Sequence, residues 1–283
     1  MYIELTDART FATQFADASV SLLLMDPPYG NIIDAKWDRK WKTPQDYAAW
    51  FVDILQCWRP KLTPTGSVVF FGGTGKPHQR MLLHTILAIE AATPLNLTFR
   101  NWLTWKKKRA YGKKSDYLYT REEILWYSAA PGLHDVTFNI PYLAEQRGYA
   151  GWDKDHPAKS PFKRVSNVWT DVPGPGDVAG NIAARMELVS QVWTDILDAA
   201  DMSILDMTEL MRPSRDGEKP VPVMERLVCT HSNEGDLVVD PFCGTGATGV
   251  AALKTKRKFR GADTDLDAMK KAAARLADVR PGS

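Results

Sequence analysis

The chain has few cysteines, no long apolar run and little net charge, and each absence excludes a class of protein. Its cysteines, Cys57, Cys229 and Cys243, are odd in number and lack the paired spacing of metal ligands. They argue against a disulfide framework and a metal site, and they favour a reducing compartment. No apolar run approaches the roughly 20 residues of a membrane helix, and residues 1–4 do not resemble a secretory signal. The sequence therefore predicts a soluble cytoplasmic protein with no membrane partner.

The net charge of +2 hides an uneven distribution along the chain. Residues 100–170 hold 13 basic and seven acidic side chains. Within residues 106–114, six cations accompany a tyrosine and a glycine, namely Lys106, Lys107, Lys108, Arg109, Lys113 and Lys114. Cations alone are also typical of a solvated loop, but cations beside an aromatic side chain favour contacts with nucleic-acid phosphates near a base. We predict a DNA-binding loop here.

The hydrophobic pattern alternates between the periods of strands and helices, which is typical of an α/β fold. Strands are predicted at residues 2–5, 20–25, 67–71, 97–105, 123–128, 237–240 and 259–263. Helices are predicted at residues 10–15, 43–58, 77–91, 220–230, 245–255 and 266–276. Between about residues 131 and 211 the pattern weakens and Gly, Pro, Trp and Tyr are frequent, so this part is predicted to be an addition to the core. It contains an octapeptide, residues 165–172, that recurs in altered form at 189–196, and we assign this echo no function.

Two of the predicted strands end in motifs that suit a binding site. The strand at 20–25 is followed by Asp26-Pro27-Pro28-Tyr29, and the strand at 237–240 ends on Asp240, before Pro241-Phe242-Cys243-Gly244-Thr245-Gly246. Prolines stop a strand and hold the neighbouring side chains rigidly. Open α/β sheets bind ligands at the carboxyl ends of their strands. The two motifs are therefore predicted to share one site.

The glycine-rich motif predicts a site for a nucleoside-bearing cofactor. A glycine turn that leads into a helix brings backbone N–H groups close to a ligand. Asp263 ends the next strand, where a carboxylate can bind the two hydroxyls of a ribose. The Lys-Ser/Thr ending of a phosphate loop is absent, which favours a nucleoside with a small charged tail over a triphosphate. An ordinary turn within a βαβ unit is the alternative.

The two motifs resemble motifs IV and I of the S-adenosylmethionine-dependent DNA amino-methyltransferases. Their order, with the catalytic motif first, resembles the β group of that family. Residues 66–73, 102–108, 121–127 and 218–227 resemble further family motifs in the same order. The resemblance implies a Rossmann-like, seven-stranded, circularly permuted sheet with a smaller target-recognition region. Residues 1–130 would form the catalytic part, 131–211 the target-recognition region and 212–283 the cofactor-binding part.

The resemblance also implies the roles of individual residues. Asp26 and the carbonyl group of Pro27 would accept the two N–H bonds of the target amino group, with Pro28 fixing the geometry and Tyr29 stacking on the base. Asp7 would lie near the cofactor adenine, and Asp263 would bind the ribose. The complete set expected around S-adenosylmethionine is Asp7, Asp26, Lys219, Pro220, Asp240, Pro241, Phe242, Gly244, Thr245, Gly246 and Asp263. The segment before Lys219 departs from the usual motif, which affects the expected loop shape and not the chemistry.

The family resemblance favours double-stranded DNA as the substrate and adenine N6 as the target. Asp at the first motif position is more typical of adenine-N6 members, whereas cytosine-N4 members usually have Ser there. Cytosine-N4 methylation is the alternative within the class, and a catalytically inactive DNA-binding protein is the alternative outside it. RNA and protein-glutamine methylases carry the motif after the cofactor motif, so the order here argues against them. A homodimer and a cognate restriction endonuclease are left open as partners.

Overall fold

A computed structural model describes residues 2–30, 40–73, 80–111, 119–132, 134–146, 160–172 and 218–279. Within them, ten strands form a sheet of eight and a separate pair. The strands are β1 (Ile3–Leu5), β2 (Val20–Met25), β3 (Leu62–Gly72), β4 (Thr98–Tyr111), β5 (Tyr119–Ser128), β6 (Tyr142–Gln146), β7 (Phe162–Arg164), β8 (Val168–Trp169), β9 (Leu237–Asp240) and β10 (Lys258–Asp263). The α-helices are α1 (Ala8–Ala12), α2 (Pro44–Trp58), α3 (Met81–Ala91), α4 (Val221–His231), α5 (Ala247–Lys254) and α6 (Leu266–Ala277).

The large sheet has the strand order β1-β10-β9-β2-β3-β5-β4-β8. The strands from β1 to β3 in this order are parallel, and β5 runs antiparallel to both β3 and β4. Strands β9 and β10, from the end of the chain, lie between β1 and β2, from its beginning. The permuted arrangement is therefore confirmed. Seven strands come from the predicted core, and the two-residue β8, from the predicted target-recognition region, adds an eighth at the edge beside β4.

The register of β2 against β9 brings the two sequence motifs together. Leu22 pairs with Val238 and Leu23 with Val239, so the two parallel strands end side by side. Asp26 directly follows one strand and Asp240 ends the other. On the far side of β9, Gly261 of β10 pairs with Asp240, which brings the end of β10 to the same edge.

Helices cover both faces of the sheet and bury its apolar side chains. Helix α2 begins with a complete capping box, in which Thr43 and Asp46 each accept a hydrogen bond from the other's backbone N–H. Its buried residues, among them Phe51 and Trp58, belong to one hydrophobic cluster with α1 and α3. Helices α4, α5 and α6 contribute to the second cluster, which includes Leu227 and Val250. The core is thus the doubly covered one of an α/β sheet.

All the predicted core elements are present, but several of their bounds differ, and β3, for example, begins at Leu62 and not at residue 67. Strands β6, β7 and β8 were not predicted. The predicted loop at residues 106–114 is wrong in its first part, because β4 continues to Tyr111 and pairs there with Tyr119 of β5. Helix α1 ends at Ala12 and not at residue 15. Helix α3 begins at Met81, and the start predicted for it lies outside the described residues, as do the echo's second copy and its helix. In the part of the chain that is described, no helix has the length and apolar character needed to cross a membrane.

Candidate active site

The Asp26-Pro27-Pro28-Tyr29 motif is held at the end of β2 by a contact from α2. The hydroxyl group of Tyr47 donates a hydrogen bond to the Pro28 carbonyl oxygen, with an O–O distance of 2.6 Å. The Tyr29 hydroxyl lies 3.0 Å from Asp26 Oδ1 and 3.3 Å from Glu122 Oε2. The tyrosine side chain therefore folds back over the carboxylate that precedes it.

Asp26 belongs to a partly buried charged cluster that also contains Tyr29, Lys107, Glu122 and Lys219, hereafter the Asp26 cluster. Lys219 Nζ lies 2.8 Å from Asp26 Oδ2 and 3.3 Å from Glu122 Oε2. Its side chain is only 6% exposed. The ammonium group of Lys107 donates a hydrogen bond to Glu122 Oε1. Two carboxylates and two ammonium groups therefore balance each other at the end of the sheet.

The pKa values of Asp26 and Glu122, the two carboxylates of the cluster, are shifted in opposite directions. Burial raises the pKa of Asp26, and the attraction of Lys219 offsets only part of this effect. Burial also opposes ionisation of Glu122, but the attraction of Lys219 and Lys107 outweighs it and lowers the pKa of Glu122. Opposite shifts in a neighbouring pair indicate different roles. Asp26 is the carboxylate better able to take up a proton, and Glu122 stays ionised.

Lys219 is fixed by aromatic rings as well as by charge. Its ammonium nitrogen lies 5.1 Å from the ring centres of both Tyr29 and Phe71, within the range of a cation–π contact. Burial opposes the charged form of Lys219, but Asp26 and Glu122 outweigh burial and raise its pKa. Lys219 was predicted among the residues around S-adenosylmethionine. The structure places its charge against Asp26, and its contact with the cofactor stays a prediction.

The glycine-rich loop after β9 is shaped by two carboxylates. Asp240 is buried; its Oδ1 accepts from the Phe242 N–H at 2.9 Å and its Oδ2 from the Thr248 hydroxyl at 2.5 Å. Asp263 Oδ2 accepts from the Gly244 N–H at 2.8 Å. Gly246, at the start of α5, has a φ of +86°, a conformation that favours glycine. Burial raises the pKa of Asp240 to about 7.

A third carboxylate connects this loop to the Asp26 cluster. Glu218 Oε2 accepts a hydrogen bond from the Thr245 hydroxyl at 2.7 Å, and Glu218 Oε1 forms an ion pair with Arg275 of α6. The next residue is Lys219, whose ammonium group contacts Asp26. The adjacent residues Glu218 and Lys219 therefore connect the glycine-rich loop to the Asp26-Pro27-Pro28-Tyr29 motif. Pro220 follows them as the residue that precedes α4.

The remaining predicted site residues have different surroundings. Asp7 is exposed and caps α1, accepting hydrogen bonds from the backbone N–H groups of Arg9 and Thr10. The side chain of Lys106 is exposed, as a DNA contact requires. Lys107, predicted with it, has Glu122 as its partner. The side chains of Lys108 and Arg109, and the whole of Lys113 and Lys114, lie outside the described residues.

Sequence reasoning missed Glu122 and Glu218 as site residues. Both lie in stretches that resemble family motifs, and that position was the available signal. Neither shows a distinctive spacing of its own. In the described ranges, no group of three or more His, Cys, Asp or Glu side chains could hold a metal ion.

Comparison with known proteins gives the family. The model of the N6_N4_Mtase family, described as DNA methylase, matches residues 20–274. The type II methyltransferase M1.MboII of Moraxella bovis is 25% identical over 263 residues, which cover 91% of this chain and 89% of that protein. The type II methyltransferase M2.DpnII of Streptococcus pneumoniae is 33% identical over 192 residues, which cover 61% of this chain and 70% of that protein.

The fold also matches solved structures. That of the PvuII DNA methyltransferase, described as cytosine-N4-specific, superimposes with a TM-score of 0.66 over 98% of this chain and 86% of that one, at 15% identity. At this identity the likeness shows the fold alone. The match to the family model, by contrast, extends over most of the chain and includes both motifs. The chain therefore belongs to the N6/N4 family of S-adenosylmethionine-dependent DNA amino-methyltransferases.

Proposed function

We propose that the protein transfers a methyl group from S-adenosylmethionine to the exocyclic N6 of an adenine that has left the double helix of DNA. The observation that carries this proposal is the pairing of β2 with β9, which brings the carboxylate of Asp26 next to the glycine-rich loop. An acceptor for the target amino group and a loop suited to a nucleoside cofactor thus lie at neighbouring strand ends. Binding in this position is typical of open α/β sheets.

The amino group of adenine is a poor nucleophile because its lone pair is delocalised into the ring. In the proposed mechanism, Asp26 and the Pro27 carbonyl oxygen each accept one of its N–H bonds and turn the nitrogen towards a tetrahedral shape. Holding the base in this geometry supplies the orientation part of the catalysis. Asp26 then takes up the proton that the nitrogen releases as its new bond to the methyl carbon forms and the bond between that carbon and the sulfonium sulfur breaks. The raised pKa of Asp26 favours this uptake.

Tyr29 is proposed to stack on the extruded base, with Pro28 fixing the path of the chain before it. Extrusion costs a few kcal/mol of lost stacking and pairing. An aromatic partner offsets about 1–3 kcal/mol of this cost. Lys106, exposed on β4, is proposed to contact the DNA backbone. A homodimer and a cognate endonuclease stay predictions.

The residues at the ends of β9 and β10 fit S-adenosylmethionine, which supplies the methyl group from its sulfonium centre. Gly244 and Gly246 both have positive φ angles, which favour glycine, and Gly246 packs closely against Ala272 of α6, so the turn leads directly from β9 into α5. The ring of Phe242 packs on Trp50, with ring centres 5.8 Å apart, and so offers a fixed apolar wall. Asp263 is proposed to bind the ribose. Asp240, Pro241 and Thr245 shape the loop around the methionine part.

Adenine N6 is proposed over cytosine N4 because the first residue of the catalytic motif is Asp. The test is incubation of the protein with unmethylated plasmid DNA and S-adenosylmethionine carrying a labelled methyl group, followed by mass spectrometry of the nucleosides. We expect labelled N6-methyladenine. Labelled N4-methylcytosine would keep the mechanism and correct the target base. No label on DNA, in a protein that binds the cofactor, would contradict the proposed function.

The role of Asp26 is tested by Asp26→Ala, with Asp53→Ala as a control at the surface. Asp53 forms an exposed ion pair with Arg9, and its loss should leave methyl transfer intact. Asp26→Ala should still bind S-adenosylmethionine and should lose methyl transfer by a factor of at least about 100. Turnover of this variant at the rate of the unmodified protein would refute the assignment.

A further inference from the structure

Glu122 has no role in the proposed mechanism, although it is the second carboxylate of the Asp26 cluster and shares Lys219 with Asp26. It lies on β5 opposite Trp105 of β4, and its side chain is 13% exposed. Two ammonium groups and one hydroxyl group approach its two oxygens. Because the lysines keep Glu122 ionised, it is a permanent acceptor of hydrogen bonds.

The Tyr29 hydroxyl lies between the two carboxylates and has one proton to donate. Its oxygen is 3.0 Å from Asp26 Oδ1 and 3.3 Å from Glu122 Oε2. Burial raises the pKa of Tyr29 well above its usual value, so the hydroxyl keeps its proton. A small rotation of the O–H bond exchanges one acceptor for the other. The hydroxyl thus has two available positions, and the acceptors are both charged.

These two positions matter because Asp26 must accept a hydrogen bond from the target base. Its Oδ2 already accepts from Lys219 and its Oδ1 from Tyr29. We propose that Glu122 is a positioning residue for methyl transfer, which takes over the Tyr29 hydroxyl when the target base enters and so makes Asp26 Oδ1 a stronger acceptor for the N–H of its amino group. This inference rests on the proposed function.

The glutamine variant removes this alternative acceptor while preserving the shape of the side chain. A glutamine amide has one acceptor oxygen, and its NH2 group would either oppose an ammonium group or donate to the Tyr29 oxygen, which leaves the hydroxyl proton on Asp26. With Lys107 and Lys219 competing for that single oxygen, the hydroxyl stays on Asp26. Glu122→Gln should therefore slow the chemical step and leave cofactor binding unchanged.

The test compares single-turnover methyl-transfer rates, at saturating DNA and S-adenosylmethionine, for Glu122→Gln, Tyr29→Phe and the double variant. Glu122→Gln should lower the rate constant by about tenfold, the effect of one misdirected hydrogen bond to a charged group. The cofactor dissociation constant should change by less than about twofold. In the double variant no hydroxyl competes for Asp26 Oδ1, so it should transfer methyl groups faster than Glu122→Gln alone.

The matched control is Glu123→Gln on the same strand. Glu123 is also buried, and it accepts hydrogen bonds from Trp102 Nε1 at 2.7 Å and Thr104 Oγ1 at 2.9 Å, away from the Asp26 cluster. Its substitution should lower the melting temperature without slowing the single-turnover step. If Glu122→Gln lowers only the melting temperature in the same way, Glu122 is a structural residue and the inference is wrong.

The outcome of the double variant decides between positioning and simple structural support. A general loss of structural support is not expected to be reversed by the loss of a second hydrogen-bonding group, so a double variant as slow as Glu122→Gln, or slower, would overturn the inference. Asp26→Ala separates this result from a failure of the proposed function. An inactive Asp26→Ala protein beside a fully active Glu122→Gln protein rejects the role of Glu122 alone, whereas an active Asp26→Ala protein rejects the mechanism itself.

Discussion

Removal of the Lys219 charge should destabilise the protein in a way that depends on pH. Lys219 Nζ lies 2.8 Å from Asp26 Oδ2 and 3.3 Å from Glu122 Oε2. At an effective dielectric constant of about 20, each contact is worth about 5–6 kcal/mol of attraction. The cost of burying the ammonium group, several kcal/mol, offsets much of this sum. Breaking a buried pair on one side typically costs about 3–5 kcal/mol, and we expect this loss for Lys219→Met at pH 8.

The loss should shrink as the pH falls. Without Lys219 the pKa of Asp26 rises further, because the attraction that opposes burial is gone. Protonation of Asp26 then removes the repulsion between Asp26 and Glu122. Urea unfolding of the unmodified protein and of Lys219→Met, at pH 8 and at pH 5.5, measures both effects. The larger difference in unfolding free energy should occur at pH 8.

The control is the same substitution at Lys61, which forms a pair of similar length with a well-exposed partner. Lys61 Nζ lies 2.6 Å from Asp17 Oδ1, and the Asp17 side chain is 73% exposed. Exposed pairs contribute about 0–1 kcal/mol, so Lys61→Met should cost no more than this at either pH. A Lys219→Met protein that loses no more stability than Lys61→Met would refute the argument that the Asp26 cluster is a partly buried, mutually compensating set of charges.

Two further predictions concern the glycine-rich loop after β9 and the basic part of β4. The pKa of Asp240 is raised to about 7 in the folded protein, against 3.8 for the same carboxyl group in the unfolded chain. The stability that Asp240 contributes is therefore lost as the pH rises between these values, by about 4 kcal/mol. The free energy of unfolding of Asp240→Asn in urea should lack this pH dependence, and a difference between the two proteins that stays constant with pH would contradict the prediction. Lys106→Ala should reduce the slope of log K for DNA against log salt by about one unit, whereas Lys107→Ala, whose ammonium group pairs with Glu122, should leave the slope unchanged and slow methyl transfer. Equal slopes of log K against log salt for the two variants would contradict the prediction that Lys106, and not Lys107, contacts the DNA.

The sequence predicted best those strands that end abruptly. The predicted bounds of β2 and β9 agree with the structure. Pro27 lies two residues after the end of β2 and Pro241 directly after the end of β9, and proline cannot continue a ladder of strand hydrogen bonds. The start of α2 was equally clear, since Thr43 and Asp46 form the capping box their spacing predicts. The permuted order of strands followed from the resemblance to the β group, and not from residue patterns.

The prediction failed where cross-strand pairing outweighs local composition. Six cations in nine residues suggested a loop, but β4 continues to Tyr111 because β5 pairs with it at Lys106 and again, after an irregularity, at Tyr111. The same register places Glu122 opposite Trp105 and, through its side chain, beside Lys107. A glutamate in a strand has no local signature of such a role. The residues of the Asp26 cluster come from four separate parts of the chain, and their meeting depends on the sheet order.

The glycine-rich loop after β9 and the Asp26-Pro27-Pro28-Tyr29 motif lie far apart in sequence, and two kinds of contact connect them. Backbone pairing of β2 with β9 sets the distance between the strand ends. The side chains of Glu218 and Lys219 then connect the loop to Asp26, since Glu218 accepts a hydrogen bond from Thr245 and Lys219 donates one to Asp26. Strand pairing and these two adjacent side chains therefore set the positions of the glycine-rich loop and of Asp26 relative to each other.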